Sequence, residues 1–251
     1  VTELDETAWL LALDTNLYDE YKLGYTSAGR IDAETMKWVL NVLDESQKRG
    51  ITVVGMMHHG LVEHLPYQST FFADYLIEDW QNRAQQLADA GLKVMLTGHF
   101  HANDITVYTS PSGNCIYDIE TGSLAQYPFP YRILKLNDGV LSVDTYKIDS
   151  VPSEPELQKK YLSKHEALAR RAVSNRLKNI GMPLAQESMS ALIDLLTRMS
   201  VLHAAGDEKI SEDTYSIIER FAKVMGDDDF EASSFSIDFP PSDNKLTIKL
   251  K

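Results

Sequence analysis

Three short apolar runs alternate with helical patterns in the N-terminal part of the chain, and this alternation limits the possible folds strongly. The runs are residues 10–13, 51–57 and 94–97. Short apolar runs bounded by polar residues are typical of buried strands. Strands separated by helices of ten residues or more are joined by right-handed crossovers and run parallel. The sequence therefore predicts a parallel βαβαβ unit.

The two helices between these strands are predicted from their ends and their apolar faces. Asp32 has the character of an N-cap, and Gly50 ends the first helix. The second helix is expected over about residues 77–90, with Gly91 as its stop. Helices of this length reach back across a sheet, as the predicted crossovers require.

Polar side chains follow each predicted strand. Asp14 comes after the first, His58 and His59 after the second, and His99 after the third. The carboxyl ends of parallel strands meet at one edge of a sheet, where open α/β sheets bind ligands. We therefore expect these side chains to gather at a single edge.

The segment Gly98-His99-Phe100-His101 carries the chemistry most specifically. Two histidines separated by one residue hold two imidazoles close enough to bind divalent metal, and Gly98 is expected to allow a sharp exit from the strand. Taken alone, the sequence His58-His59 is as compatible with an ordinary strand end, where one ring is packed and the other exposed, as with a metal site. Three or four imidazoles at one edge, however, require a cation or a carboxylate between them.

The remaining histidines have no comparable setting. His64 follows the histidine pair closely enough to belong to a lid over the site, whereas His165 and His203 are expected in a helical region.

After His101 the pattern changes to antiparallel hairpins. Turn signals at residues 111–113 and 137–139 separate pairs of short alternating strands. From residue 150 the chain is mostly helical, and Ser153 with Glu156 predicts a capping box at its start. We expect one unit over residues 1–149 and a helical appendage over 150–251, in which the tail from residue 235 adds an edge strand.

Composition excludes several functional classes. The formal net charge is −13, from 24 Lys and Arg against 37 Asp and Glu, and no basic patch with interleaved aromatics interrupts it. Such a chain repels the phosphate backbone, so we expect no nucleic-acid partner. The single cysteine, Cys115, excludes an internal disulfide and a cysteine-rich zinc site. No apolar stretch approaches the roughly 20 residues of a membrane span.

These motifs resemble those of the calcineurin-like metallophosphoesterases. That family has an apolar strand ending in a histidine pair, then a strand followed by Gly-His-x-His, as in Met57-His58-His59-Gly60 and Gly98-His99-Phe100-His101. The segment Leu13-Asp14-Thr15-Asn16 is similar to an earlier strand end of the family, and Thr121-Gly122-Ser123 is similar to its late hairpin region. The resemblance covers residues 10–146.

The resemblance implies a layered α/β fold, with the parallel unit followed by antiparallel hairpins, and a binuclear metal centre. His58 and His99 would bind one ion and His101 the other, while His59 would be a neighbouring catalytic residue in the second coordination shell. The ions would be two divalent metals such as manganese, iron or zinc. The substrate would be a phosphate ester, either a monoester or a diester.

The family's earlier motifs, Asp-x-His, Gly-Asp and Gly-Asn-His, are not found before Leu13. We expect their ligands to lie upstream of Val1, so that these 251 residues form an incomplete and inactive half of a hydrolase. The alternative is a catalytically incomplete metal-binding or interaction domain derived from the family. A metallo-β-lactamase-like site is disfavoured because Asn103 and Asp104 stand where Asp and His are needed.

Overall fold

The computed structural model describes residues 1–18, 26–181, 184–224, 229–231, 236 and 238–250. It shows a mixed α/β chain with two sheets and several helices. The strands are β1 (Thr2–Asp5), β2 (Ala8–Ala12), β3 (Thr52–Met56), β4 (Val94–Thr97), β5 (Asp104–Thr109), β6 (Cys115–Glu120), β7 (Pro130–Asn137), β8 (Val140–Lys147) and β9 (Lys245–Lys249). The helices are α1 (Ala33–Arg49), α2 (Gln68–Phe71), α3 (Trp80–Asp89), α4 (Leu157–Ile180), α5 (Gln186–Ala205) and α6 (Glu212–Val224), with a 3₁₀ turn at Ala73–Tyr75.

The larger sheet has the order β1-β2-β3-β4-β6-β5. Strands β2, β3, β4 and β6 are parallel neighbours, whereas β1 and β5 lie antiparallel at the two edges. The parallel arrangement of the three predicted strands is thus confirmed. The hairpin of β5 and β6 joins the sheet through its second strand, which places the end of β6 and the start of β5 at the same edge as the histidines.

Helices α1 and α3 cover one face of this sheet. Their inner residues include Met36, Val39 and Leu87, which pack against Leu11 and Met95 of the strands. The predicted caps of α1 are confirmed, because the Asp32 carboxylate accepts the Thr35 N–H at 2.6 Å and Gly50 is left-handed with a φ of 66°.

The other face of the larger sheet packs on the three-stranded sheet, whose order is β7-β8-β9. Val94 and Ile119 of the first sheet meet Leu141, Val143 and Ile248 of the second in one buried cluster. The short strand β9 pairs with β8 alone, so the distant end of the chain forms an edge of this layer.

Helices α4, α5 and α6 follow in order, and α4 packs on α5 through Val173, Leu177 and Leu192. The predicted capping box was wrong. Helix α4 begins only at Leu157, and no side chain caps it. Residues Val151 and Glu154 instead pair across a tight turn, which removes Ser153 from the start of the helix. None of the helices in the described ranges combines the length and apolar character that crossing a bilayer requires.

Candidate metal centre at the carboxyl edge of the sheet

Two histidines from neighbouring strands meet at the carboxyl edge of the larger sheet. The Nε2 atom of His58, after β3, lies 3.0 Å from the Nδ1 atom of His99, after β4. The two loops are also joined by the backbone, since the Gly98 N–H donates to the His58 carbonyl at 3.0 Å. Nitrogen ligands that share one ion lie roughly 3 Å apart when each metal–nitrogen bond is about 2 Å. The separation of this pair therefore fits a shared ion.

The carbonyl of Ser27 sets the tautomer of His99. A carbonyl only accepts hydrogen bonds, so the His99 Nε2, 2.8 Å from it, is the protonated nitrogen. The Nδ1 atom then carries a lone pair aimed at His58. This is the orientation that a metal-binding imidazole adopts when a carbonyl fixes its other nitrogen.

His59 is buried and both of its ring nitrogens are used by the protein. Its Nε2 donates to the Ser27 carbonyl at 3.0 Å, and its Nδ1 accepts from the Thr15 hydroxyl at 2.6 Å. A Cβ atom on Gly29 would lie 2.3 Å from the same ring, so the ring fills space that only glycine leaves open. With neither nitrogen available to an ion, His59 can position Ser27 and Thr15 but not bind metal.

His101 lies on the same loop but faces a different neighbour. Its Nδ1 donates to the side-chain oxygen Oε1 of Gln126 at 3.1 Å. The side-chain nitrogen Nε2 of Gln126 in turn donates to Nδ1 of His165 at 3.2 Å. Because Nδ1 of His101 is protonated in this contact, its Nε2 carries the lone pair. The structure thus ties His101, through Gln126, to His165 of α4.

The strain in the Gly98-His99-Phe100-His101 turn falls on its histidines. His99 has a φ of 75° and His101 a φ of 61°, whereas a Cβ on Gly98 would meet its nearest atom at 3.7 Å. The expectation that Gly98 provides the sharp exit was therefore wrong. Left-handed backbone at residues other than glycine costs about 1–3 kcal/mol and is concentrated at functional sites.

Partial burial keeps the edge histidines neutral. Desolvation lowers the pKa of His58 and of His99, and each pKa is lowered further by a neighbouring imidazole. Burial, with His99 nearby, lowers the pKa of His59 to about 4. Neutral imidazole is the form that binds metal, so His58 and His99 are ready to coordinate at neutral pH.

Asp14 lies at the end of β2 but its carboxylate is used within its own loop. It accepts from the Asn16 backbone at 3.1 Å and from the Tyr18 hydroxyl at 2.8 Å. The first of these bonds is the largest cause of its lowered pKa. The structure therefore places Asp14 at the expected edge with its oxygens turned toward the loop.

A buried carboxylate from β6 holds both histidine loops in place. Oδ2 of Asp118 accepts the N–H groups of Leu61 and Val62 at 2.6 and 3.0 Å, and Oδ1 accepts the Thr97 hydroxyl at 2.5 Å. These partners follow His59 and precede His99. Sequence reasoning missed Asp118 because a single acidic residue in an apolar strand has no local pattern that announces its partners.

His64 does not belong to a lid, which corrects that expectation. The ring is fully buried, with Nδ1 2.5 Å from Asp104 Oδ1 and Nε2 3.1 Å from Asp118 Oδ2. These carboxylates raise the pKa of His64 well above its ordinary value, although burial opposes them. Burial also raises the pKa of the adjacent Glu120 to about 7.

A cavity of about 900 Å³ lies between the histidine edge and helices α4 and α5. Its walls include His99, Phe100 and His101 on one side and His165, Val173 and His203 on the other. The aromatic ring of Phe100 packs against Tyr75 and His203, with centroid separations of 4.8 and 5.6 Å. Helices α4 and α5, which belong to the predicted helical appendage, therefore line the approach to His99 and His101.

Two groups of potential metal ligands are closely spaced elsewhere in the described part of the chain. The first group is Asp104, His203 and Glu208, and the second is Asp207, Asp238 and Asp243. Within each group the potential ligand atoms lie within 4.8 Å of one another. The structure thus contains acidic and histidine groups that could hold metal, besides the His58–His99 pair.

No known protein family and no curated protein matches the sequence. Among solved structures, the chain is similar to the crystal structure of a dimetal phosphatase from Danio rerio. The match has a TM-score of 0.38 and 16% sequence identity, over 47% of this chain and 36% of that one. The aligned part is thus about a third of that protein's length.

Proposed function

We propose that this chain carries one side of a metallophosphoesterase centre, in a layered fold of the calcineurin-like type. The observation that supports it most directly is the 3.0 Å contact between His58 Nε2 and His99 Nδ1, with the second nitrogen of His99 fixed by the Ser27 carbonyl. His58 and His99 hold one divalent cation and His101 holds a second. The ions are manganese, iron or zinc.

Divalent cations at such a centre polarise the phosphoryl group of an ester and activate water for attack. The protein's own side chains bind and orient. Thr15 and Ser27 hold His59 against the pair, and Gln126 holds His101 through its Nδ1, which leaves the lone pair on Nε2. Ligands fixed by such contacts need little rearrangement when metal binds.

The cavity beside the histidine edge is where the rest of the phosphate ester would bind. Its apolar lining, including Phe100, Leu168 and Val173, suits an aryl or other apolar group on the phosphate. The alternative function, a metal-binding domain without turnover, rests on the same histidines and differs only in whether a complete set of ligands forms.

The test is hydrolysis of an aryl phosphate monoester and an aryl phosphate diester by the protein translated from its whole natural reading frame, with added Mn²⁺ or Zn²⁺. We expect turnover that falls at least about a hundredfold in His99→Ala, because a metal ligand is lost. Glu212→Gln, at an exposed position of α6, is the matched control and keeps full activity. Metal binding without turnover of either ester would support the alternative and reject the phosphoesterase.

A further inference from the structure

A second group of ligands lies behind the histidine edge, where β5 begins and α5 ends. Nδ1 of His203 is 2.6 Å from Glu208 Oε1 and 3.6 Å from Asp104 Oδ2. All three side chains are buried, with exposed fractions of 6% for His203, 7% for Glu208 and 0% for Asp104. His203 lies in α5, Glu208 in the loop that follows it and Asp104 at the start of β5, so the cluster is a product of the tertiary fold.

Two carboxylate oxygens of this cluster have no hydrogen-bond donor among the described residues. They are Oδ2 of Asp104 and Oε2 of Glu208, and both are inaccessible to solvent. The other oxygen of Asp104 is already satisfied, because it accepts from His64 at 2.5 Å and from the Thr106 hydroxyl at 3.1 Å. Buried polar atoms nearly always have a partner. Leaving a buried carboxylate oxygen unpaired costs several kcal/mol, and a bound ion removes that cost.

Charge around the cluster is also unbalanced. In the described part of the chain, the buried carboxyl groups of this region outnumber its cationic groups. The carboxyl groups are those of Asp104, Asp118, Glu120, Glu208 and Asp243. The cationic groups are those of His64, Arg132 and His203. If all five carboxyls ionise, they exceed the three cationic groups by two charges. Burial raises the pKa of Glu120 to about 7 and that of Asp243 to about 8, so either bound protons or one divalent cation can balance this excess.

An ion has a route to this position. His203 and Glu208 line the same cavity as His99 and His101, so the space beside the histidine edge reaches one side of the cluster. The Asn103 N–H also donates to the His203 carbonyl at 3.1 Å, which joins the end of α5 to the segment that follows His101.

We propose that Asp104, His203 and Glu208 form a binding site for one divalent transition-metal ion, with zinc as the preferred ion. One imidazole and two carboxylates are ligands that zinc and its neighbours accept, whereas calcium and magnesium prefer oxygen alone. The ion replaces the proton that His203 shares with Glu208 and takes the unpaired oxygen of Asp104. It joins α5 to the start of β5 and so steadies the loop that carries His99 and His101. This proposal does not depend on the proposed phosphoesterase activity.

The experiment is done in a His58→Ala/His99→Ala/His101→Ala background, which removes the proposed ligands at the sheet edge. Bound zinc per chain is measured after dialysis against buffered Zn²⁺, with and without Asp104→Asn or Glu208→Gln. These substitutions keep side-chain size and remove the charge. Glu212→Gln, exposed and four positions from Glu208, is the matched control.

We expect about one zinc per chain in the background variant and in the control, with affinity at least roughly tenfold weaker in Asp104→Asn and Glu208→Gln. Absence of zinc from the background variant, or unchanged affinity in both substitutions, would overturn the proposal. If the substitutions prevent folding, zinc-edge X-ray absorption of the folded background variant decides. One imidazole among oxygen ligands supports the site, and oxygen ligands alone reject it.

Discussion

His58 Nε2 and His99 Nδ1 lie 3.0 Å apart although 41 positions separate the two residues in the chain. They meet because β3 and β4 are adjacent parallel strands, with Gly55 opposite Met95 and Met56 opposite Leu96. Parallel neighbours deliver their carboxyl ends to one edge. The sheet therefore creates the pair, and the Ser27 carbonyl decides which nitrogen of His99 is available.

Replacing Gly29 by alanine should displace His59. The added Cβ would lie 2.3 Å from the His59 Nδ1, in a buried position where the ring is held by Thr15 and Ser27. We expect the free energy of unfolding, measured in urea, to fall by about 1–3 kcal/mol.

The control is Gly98→Ala, within the Gly-His-x-His turn itself. Its Cβ would meet its nearest atom, the Thr121 carbonyl oxygen, at 3.7 Å, which is ordinary contact. We expect a change of roughly 0.5 kcal/mol or less. An equal loss in the two variants would contradict the packing described around His59.

Replacing Asp118 by asparagine should loosen both histidine loops. An amide has one acceptor oxygen, so it cannot accept from Thr97 and from the two backbone N–H groups of Leu61 and Val62 together. Leaving these buried donors unpaired should lower the free energy of unfolding by about 2–4 kcal/mol. Asp138→Asn, in an exposed hairpin turn, should change it little. Equal stability of the two variants would show that Asp118 does not hold the loops.

The buried carboxylates should make stability fall as pH rises when chelator keeps metal away. Burial raises the pKa of Glu120 from 4.5 to about 7, so the folded protein binds a proton there that the unfolded chain releases above pH 4.5. Stability from this proton is full below pH 4.5 and is lost as pH rises to 7, by an amount on the order of 3 kcal/mol. The raised pKa of His64 acts in the same direction above pH 6.5.

Urea unfolding at pH 5 and pH 8 measures this change. Glu120→Gln cannot ionise and should show a smaller difference between the two pH values than the wild type. The lowered pKa values of His58, His59 and His99 act in the opposite direction below pH 6.5, so the comparison with Glu120→Gln decides. An equal difference between the two pH values in both proteins would contradict the raised pKa of Glu120.

Replacing Gln126 by leucine should weaken the position of His101. The amide links His101 Nδ1 to His165 Nδ1 through bonds of 3.1 and 3.2 Å. A hydrogen bond that orients a metal-binding histidine raises the metal affinity about tenfold. Calorimetric titration with Mn²⁺ should therefore show one weakened ion, with Gln81→Leu on the exposed side of α3 as control. A titration curve identical to that of the wild type would show that His101 does not bind metal.

The sequence predicted the strands and the residues at their ends because both are local signals. Apolar runs mark β3 and β4, and His58 and His99 follow them directly. The contacts that orient His59 come from Ser27 and Thr15, which are 32 and 44 positions away and carry no pattern of their own. Their roles depend on tertiary approach, which periodicity does not encode.

The role of His203 in the helical region could not be predicted from the sequence either. His203 lies in a helix, as expected, yet its ring points into a buried network with Asp104 and Glu208. A lone histidine in a helix is equally compatible with an ordinary packed position. Only the meeting of α5 with the start of β5 shows its charged neighbours.

The most direct test of the account is the Mn²⁺ or Zn²⁺ bound by His58→Ala and His99→Ala, each compared with the wild type and with Glu212→Gln by equilibrium dialysis. If the 3.0 Å pair holds one ion, both single variants lose the same one equivalent per chain, and the control keeps it. Wild-type stoichiometry and affinity in either histidine variant would contradict the metal centre at this edge of the sheet.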